Sequence, residues 1–239
     1  MKCTSLHISA HAFLGEYALP LLPLSVMTNA HINTTKPSRP ITLYGFKLSG
    51  HCHRVELFLN LAQLPYRYVD INLRNGDHKQ PDFLEMNRFG QVPVIDDAGV
   101  ILGDSNAILV YLAGRYANDW YPKDELQHAH IQRWFSAAAG LLAFGPAMAR
   151  AIAVFRPHED PREALERSTR LLAVMNKELE RHPFLIGEDP SLADVSMYSY
   201  TAKAPEGKIS LSDYPLVKSW LSRIEALPHF LPMPSAPVT

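Results

Sequence analysis

The chain has 239 residues, 47% hydrophobic and 20% charged, with a formal net charge of −1. That is a globular composition long enough for one or two domains and a sizeable core. It has no basic footprint for nucleic acid or an anionic membrane surface. Its two cysteines, Cys3 and Cys52, exclude a disulfide framework and a four-cysteine zinc site and fit a reducing, cytoplasmic setting. No apolar run approaches the roughly 20 residues of a membrane span.

Residues 1–40 show neither helical nor strand period and are punctuated by Pro20, Pro23, Pro37 and Pro40, so they read as a disordered extension. Phe13–Val26, with Lys2 ahead of it, has some character of a secretion signal. Glu16, Pro20 and Pro23 interrupt it, however, and no small-x-small cleavage site follows. From Ile41 the pattern sharpens. Ile41–Tyr44 predicts a strand, and Val55, Phe58, Leu59 and Ala62 predict a helix by their i, i+3, i+4, i+7 spacing. Tyr66–Asn72 predicts a second strand, closing a βαβ unit. Val92–Ile95 and Val100–Leu102 predict a hairpin joined by Asp96–Gly99, and Ser105–Tyr116 a largely apolar helix.

Beyond Ala117 the strand signals stop. Helices are predicted over Glu125–Phe155, Asp160–Arg181, Leu192–Lys203 and Tyr214–Ala226, with Pro157, Pro183, Pro190 and Pro205 in the gaps. The fold class is therefore α/β plus all-α: a small α/β domain over residues 41–120, then an all-helical domain over 125–234.

Three phrases carry chemistry. In Gln91-Val92-Pro93-Val94-Ile95 a proline interrupts a strand, which fits an edge strand or a cis bond. With a cis bond, the Val92 backbone would be open to an extended peptide. In Gly103-Asp104-Ser105, Ser105 stands as the N-cap of a helix whose free N–H groups attract anions, and Asp104 suits an ammonium group. In Leu48-Ser49-Gly50-His51-Cys52-His53, Ser49 precedes a helix start at the carboxyl end of a strand, where α/β folds bind ligands. His51, Cys52 and His53 point apart on a helix and no further cluster joins them, so no metal is expected.

Together these phrases resemble the glutathione S-transferases, above all the serine-type, theta-like bacterial members, from about Ile41 to Pro234. The resemblance implies a thioredoxin-like N-terminal domain holding glutathione as co-substrate, a helical domain holding most of a site for a small hydrophobic electrophile, and a homodimer. It implies a cis Val92–Pro93 bond. It assigns Asp104 and Ser105 to the γ-glutamyl end of glutathione, His78 to the glycyl end, and Gln91 and Val92 to the same pocket. Ser49 becomes the residue that activates the thiol, and Ser191-Leu192-Ala193-Asp194 an N-capping box. Arg88 stands where many relatives have proline, and Asp104 replaces the commoner glutamate.

A free thiol ionises near pH 8.5, so a hydroxyl donor and a helix N-terminus would raise the thiolate fraction at neutral pH. Phe135, Leu142, Phe144 and Met148 are candidates to line the electrophile pocket, although such stripes more often form core. Two alternatives stand beside conjugation. One is a glutathione-dependent peroxidase or disulfide reductase, since Ser49-x-x-Cys52 has redox-motif spacing with Cys52 expected buried. The other is a non-catalytic interaction module. Tyr44, a possible tyrosine activator, reads as core.

Overall fold

Ile-Thr-Leu-Tyr-Gly, β-prone by its branched and aromatic side chains, forms β1 (Ile41–Gly45) at the centre of a four-stranded mixed sheet. The computed structural model describes residues 36–236, which lie in one compact unit. Most of the expected extension falls outside the described residues. Of the part described, Pro37 is buried and Arg39 pairs with Asp96 at 3.7 Å.

α1 (Gly50–Leu61) returns the chain to β2 (Tyr66–Asp70), which pairs parallel with β1. Val55, Phe58 and Leu59 are fully buried, as their spacing predicts. A short helix, α2 (Pro81–Met86), was not anticipated; its signal was Pro81 at the first helical position. The hairpin is present as β3 (Val94–Asp97) and β4 (Val100–Gly103), β3 pairing antiparallel with both β1 and β4. The sheet order is β2-β1-β3-β4, and the Val92–Pro93 bond is cis.

The hairpin turn is tighter than the predicted four residues. Asp97 pairs with Val100, leaving only Ala98 and Gly99, with φ of 53° and 98°, as a type I′ turn requires. Asp97 is thereby buried and accepts hydrogen bonds from the hydroxyls of Tyr111 (2.7 Å) and Tyr116 (2.6 Å). Both tyrosines belong to α3 (Ser105–Tyr116), which this pair ties to the sheet.

The helical domain begins with α4 (Glu125–Ala137), runs through a π-helical stretch (Ala138–Ala147) and continues as α5 (Met148–Phe155). Pro146 lies inside the π stretch. It has no N–H for an α-helical bond, a known cause of local distortion. By length and composition the 31-residue run Glu125–Phe155 is long and apolar enough to cross a membrane. It exceeds the sequence expectation because small residues separate its large apolar ones. Ile131, Trp134, Phe135, Ala138 and Leu142 are buried in the protein's core, so the run is a core helix.

α6 (Arg162–Glu178), α7 (Leu192–Ala202) and α8 (Pro215–Glu225) complete the domain. Ten of the eleven residues of α7 are buried, and it packs against α1, α3 and α4. It thus joins the helical domain to the α/β domain directly behind the first helix.

His53 reinforces that junction. Its Nε2 lies 2.9 Å from the carbonyl of Leu231, an acceptor only, so Nε2 carries the proton. Nδ1 then accepts from the Ser199 hydroxyl at 2.8 Å. Burial lowers the imidazole pKa from 6.5 to about 4, because the neutral ring alone fits this site. The unfolded chain therefore takes up the proton first, and stability falls as pH drops from 6.5 to about 4. The full loss is on the order of 3 kcal/mol. Urea denaturation at pH 7 and pH 4.5 should show such a loss, and His53→Gln should shrink the difference without abolishing it, because the buried His51, lowered to about 3, gives a further loss over the same range.

Candidate active site

Ser49 ends the loop after β1 and caps α1. Its backbone is extended (φ −86°, ψ 120°), and its Oγ accepts from the Cys52 N–H at a long 3.4 Å. Accepting this bond uses an oxygen lone pair and leaves the hydroxyl proton to donate elsewhere. The first N–H groups of α1 converge on the same point.

At the other end of the site, β4 turns into α3 through Asp104, whose φ is 70°. With ψ at 121° this lies outside the left-handed helical well, a sparsely populated conformation that the surrounding structure holds in place. Here the sequence reading needs correction: Asp104, not Ser105, is the N-cap. One carboxylate oxygen of Asp104 accepts from the N–H groups of Asn106 (3.0 Å) and Ala107 (2.9 Å). Ser105 is consequently the first helical residue, and its hydroxyl turns inward to accept from Arg54 at 2.8 Å.

Arg54 is a residue that sequence reasoning missed. It is almost completely buried on α1. One guanidinium nitrogen donates to Ser105 Oγ and also, at 3.0 Å, to Asn106 Oδ1. Asn106 Oδ1 accepts in turn from Ser196 of α7 at 2.9 Å. Burial lowers the Arg54 pKa to about 10, which still leaves it charged at neutral pH. Its only sequence signal was a cation on the otherwise buried helix that follows Ser49.

Ser49, His78, Gln91, Val92, Asp104 and Ser105 all line one cavity of about 420 Å³, together with His51, Leu73, Lys79, Gly90 and Pro93. The fold thus brings every sequence-selected site residue into a single concavity. It has a carboxylate and a helix N-terminus at one end and His78 and Lys79 in its wall. His51 lies 3.4 Å from Ser105 Oγ and meets the Tyr200 ring edge-on at 5.1 Å. Burial and the nearby Arg54 cation lower the His51 pKa to about 3, so the ring is neutral.

A second cavity of about 600 Å³ adjoins the first, and Ser49 and Leu73 line both. Its other walls are Phe46, Leu48 and Arg74 from the α/β domain, and Ala147, Arg150, Ala151, Val154, Phe155 and Tyr200 from the helical domain. Phe135, Leu142, Phe144 and Met148 do not line it; Phe135 and Leu142 are core, and Phe144 faces outward. Tyr200 reaches the site because residue 50 is glycine. A Cβ there would meet the Tyr200 ring at 2.7 Å.

Cys52 is buried as expected. Its sulfur accepts from the Phe46 N–H at 3.3 Å, and burial raises the thiol pKa to about 11. It therefore offers no thiolate near neutral pH. Tyr44 lines neither cavity. Among the described residues, no group of three or more His, Cys, Asp or Glu side chains is placed to hold a metal ion.

The arrangement offers a polar cleft for an extended, zwitterionic ligand and an apolar chamber beside it, with one hydroxyl at the junction. Family models match for the glutathione S-transferase N-terminal domain over residues 48–115 and the C-terminal domain over residues 134–228. Glutathione S-transferase 3 of Zea mays is 31% identical over 222 residues, covering 83% of this chain and 97% of the relative. Disulfide-bond oxidoreductase YfcG of Escherichia coli is 31% identical over 201 residues, covering 79% of this chain and 91% of the relative. A crystal structure of a glutathione S-transferase from Pseudomonas fluorescens superimposes with a TM-score of 0.78 at 32% identity, covering 82% of this chain and 100% of that one.

Proposed function

Because the chain belongs to the glutathione S-transferase family, we propose that it binds glutathione in the first cavity and transfers its sulfur to a small electrophile in the second. The observation that carries this reading is the position of Ser49, shared by both cavities at the N-terminus of α1. A sulfur held there would meet a hydroxyl donor and the positive end of a helix on one side and an apolar chamber on the other.

A hydrogen bond to a charged group contributes about 1.5–3 kcal/mol, or one to two pH units of thiol ionisation. From a starting point near 8.5, that brings much of the bound thiol to thiolate at neutral pH. Ser49 acts as a donor and forms no covalent bond. Asp104 receives the ammonium of the γ-glutamyl group, while Ser105 and the first N–H groups of α3 receive its carboxylate. Arg54 places a buried positive charge behind Ser105 and fixes its hydroxyl. His78 meets the glycyl end, and Gln91 with the Val92 backbone aligns the peptide between the two ends. The thiolate then attacks an electrophilic carbon in the second cavity. Turnover of glutathione with 1-chloro-2,4-dinitrobenzene tests the reading, and absence of conjugation with any of a panel of electrophiles would overturn it.

The likeness to a disulfide-bond oxidoreductase favours a second reading, in which the bound thiolate attacks a disulfide or peroxide instead. Cys52 would take no part, given its burial and raised pKa. Assaying bis(2-hydroxyethyl) disulfide and cumene hydroperoxide beside the aryl chloride separates the two.

We further propose a cytoplasmic homodimer. Phe89 is 82% exposed on the loop before β3, flanking the first cavity, and an aromatic ring of this kind supplies a large apolar anchor for a second copy. Phe89→Ser should convert a dimer to a monomer in light scattering after size-exclusion chromatography, and an unchanged mass would exclude this anchor.

A further inference from the structure

The second cavity is apolar but not neutral. Among the described residues, Arg74 and Arg150 are its only charged lining residues, and no carboxylate side chain faces it. Arg74 is exposed and therefore screened by solvent. Arg150, on α5, is almost completely buried.

The surroundings of Arg150 do not cancel its charge. Its Nε donates to Glu206 at 2.7 Å, and a terminal nitrogen donates to the carbonyl of Leu48 at 2.8 Å. The same Glu206 also pairs with Lys203 at 3.2 Å. Two cations thus share one carboxylate, and the cluster behind the cavity keeps a net positive charge. The second terminal nitrogen of Arg150 is buried with no hydrogen-bond partner among the described residues. A buried donor left without a partner carries an energetic cost, and a small rotation of the guanidinium toward the cavity would let an incoming acceptor relieve it. Apolar walls strengthen the attraction for an anion, and a planar guanidinium matches a carboxylate well. Arg54 also has unpartnered nitrogens, but it lines neither cavity.

We propose that the second cavity selects electrophiles carrying a carboxylate on an apolar body, with Arg150 as the specificity-determining residue. This inference rests on the transferase reading. For an aryl chloride, the glutathione thiolate adds to the ring carbon that bears chlorine. The C–S bond forms, the C–Cl bond breaks, and chloride leaves with the bonding pair. The thiol proton is released to solvent.

The test compares 4-chloro-3-nitrobenzoate with 4-chloro-3-nitrobenzamide, each rate divided by the uncatalysed rate with glutathione. The wild-type kcat/KM should favour the benzoate by about tenfold, the scale of one charged hydrogen bond. Arg150→Met should abolish the preference. Glu206→Gln, which removes the neutralising carboxylate, should increase it, a gain that misfolding cannot produce. Equal normalised rates in the wild type, or a preference unmoved by Glu206→Gln, would overturn the proposal while benzamide turnover upheld the transferase reading. Should neither chloride react, calorimetry with the two finished glutathione conjugates decides. Tighter binding of the carboxylate conjugate supports the anion site, and equal binding overturns it.

Discussion

Ser49→Ala should lower kcat/KM for conjugation at pH 7 by about 10–25-fold, the loss of thiolate when the thiol pKa returns by one to two units to near 8.5. The Ser49 Oγ sits between the two cavities and its cap bond is long, at 3.4 Å, so its loss falls on the bound sulfur. Without the donor, the thiol pKa should rise toward its free value. The rising limb of the pH–rate profile should then shift alkaline by one to two units, and the gap to wild type should narrow above pH 9. Ser49→Thr keeps a hydroxyl and should retain most of the activity. The fold should tolerate the alanine, because a cap substitution costs about 1 kcal/mol and this cap bond is weak. Full activity in Ser49→Ala would move thiol activation to the N–H groups of α1.

The second large effect lies away from the chemistry. The Asp194 carboxylate, fully buried at the start of α7, accepts from the N–H of Leu185 (2.9 Å), the N–H and hydroxyl of Ser191 (both 2.9 Å) and the indole of Trp220 (2.8 Å). These bonds include one half of a capping box and clamp α7 to α8 and to the loop before it. Asp194→Ala strands three buried N–H donors at once. The cost is about 3–5 kcal/mol, which for a protein of this size lowers Tm on the order of 10 °C. Ser191→Ala, which removes one cap hydroxyl, should cost about 1 kcal/mol. Thermal unfolding followed by circular dichroism measures both. A fall under about 3 °C for Asp194→Ala would mean that water replaces the carboxylate. Because α7 packs on α1, a destabilised variant should also lose glutathione affinity on mild heating.

How much of this was legible in the sequence depends on how local the signal is. The start of α1, both ends of α3 and the capping box are written in short phrases, and local hydrogen bonding decides them. That the six selected residues share one cavity follows from their places on loops and helix starts, and the resemblance identified which ones to choose. What escaped was tertiary. Arg54, Arg150 and Tyr200 acquire meaning only when α1, α5 and α7 meet. The cap at Asp104 was misread because its reach to two N–H groups leaves Ser105 free to face Arg54.

The second cavity draws on a different face of its helix from the stripe Phe135, Leu142, Phe144 and Met148, for a comparable reason. A 3.6-residue stripe projected from Phe135 through Leu142 assumes unbroken α geometry. The π-helical stretch Ala138–Ala147 changes the number of residues per turn, and the face that reaches the chamber is Ala147, Ala151, Val154 and Phe155.

The central claim is that the junction of the two cavities generates a thiolate from bound glutathione. Titration calorimetry of glutathione near neutral pH, in two buffers of different ionisation enthalpy, measures affinity and proton release together. The site described here predicts binding with release of a substantial fraction of a proton, and a smaller release in Ser49→Ala. Binding without proton release, or no binding at all, would contradict it.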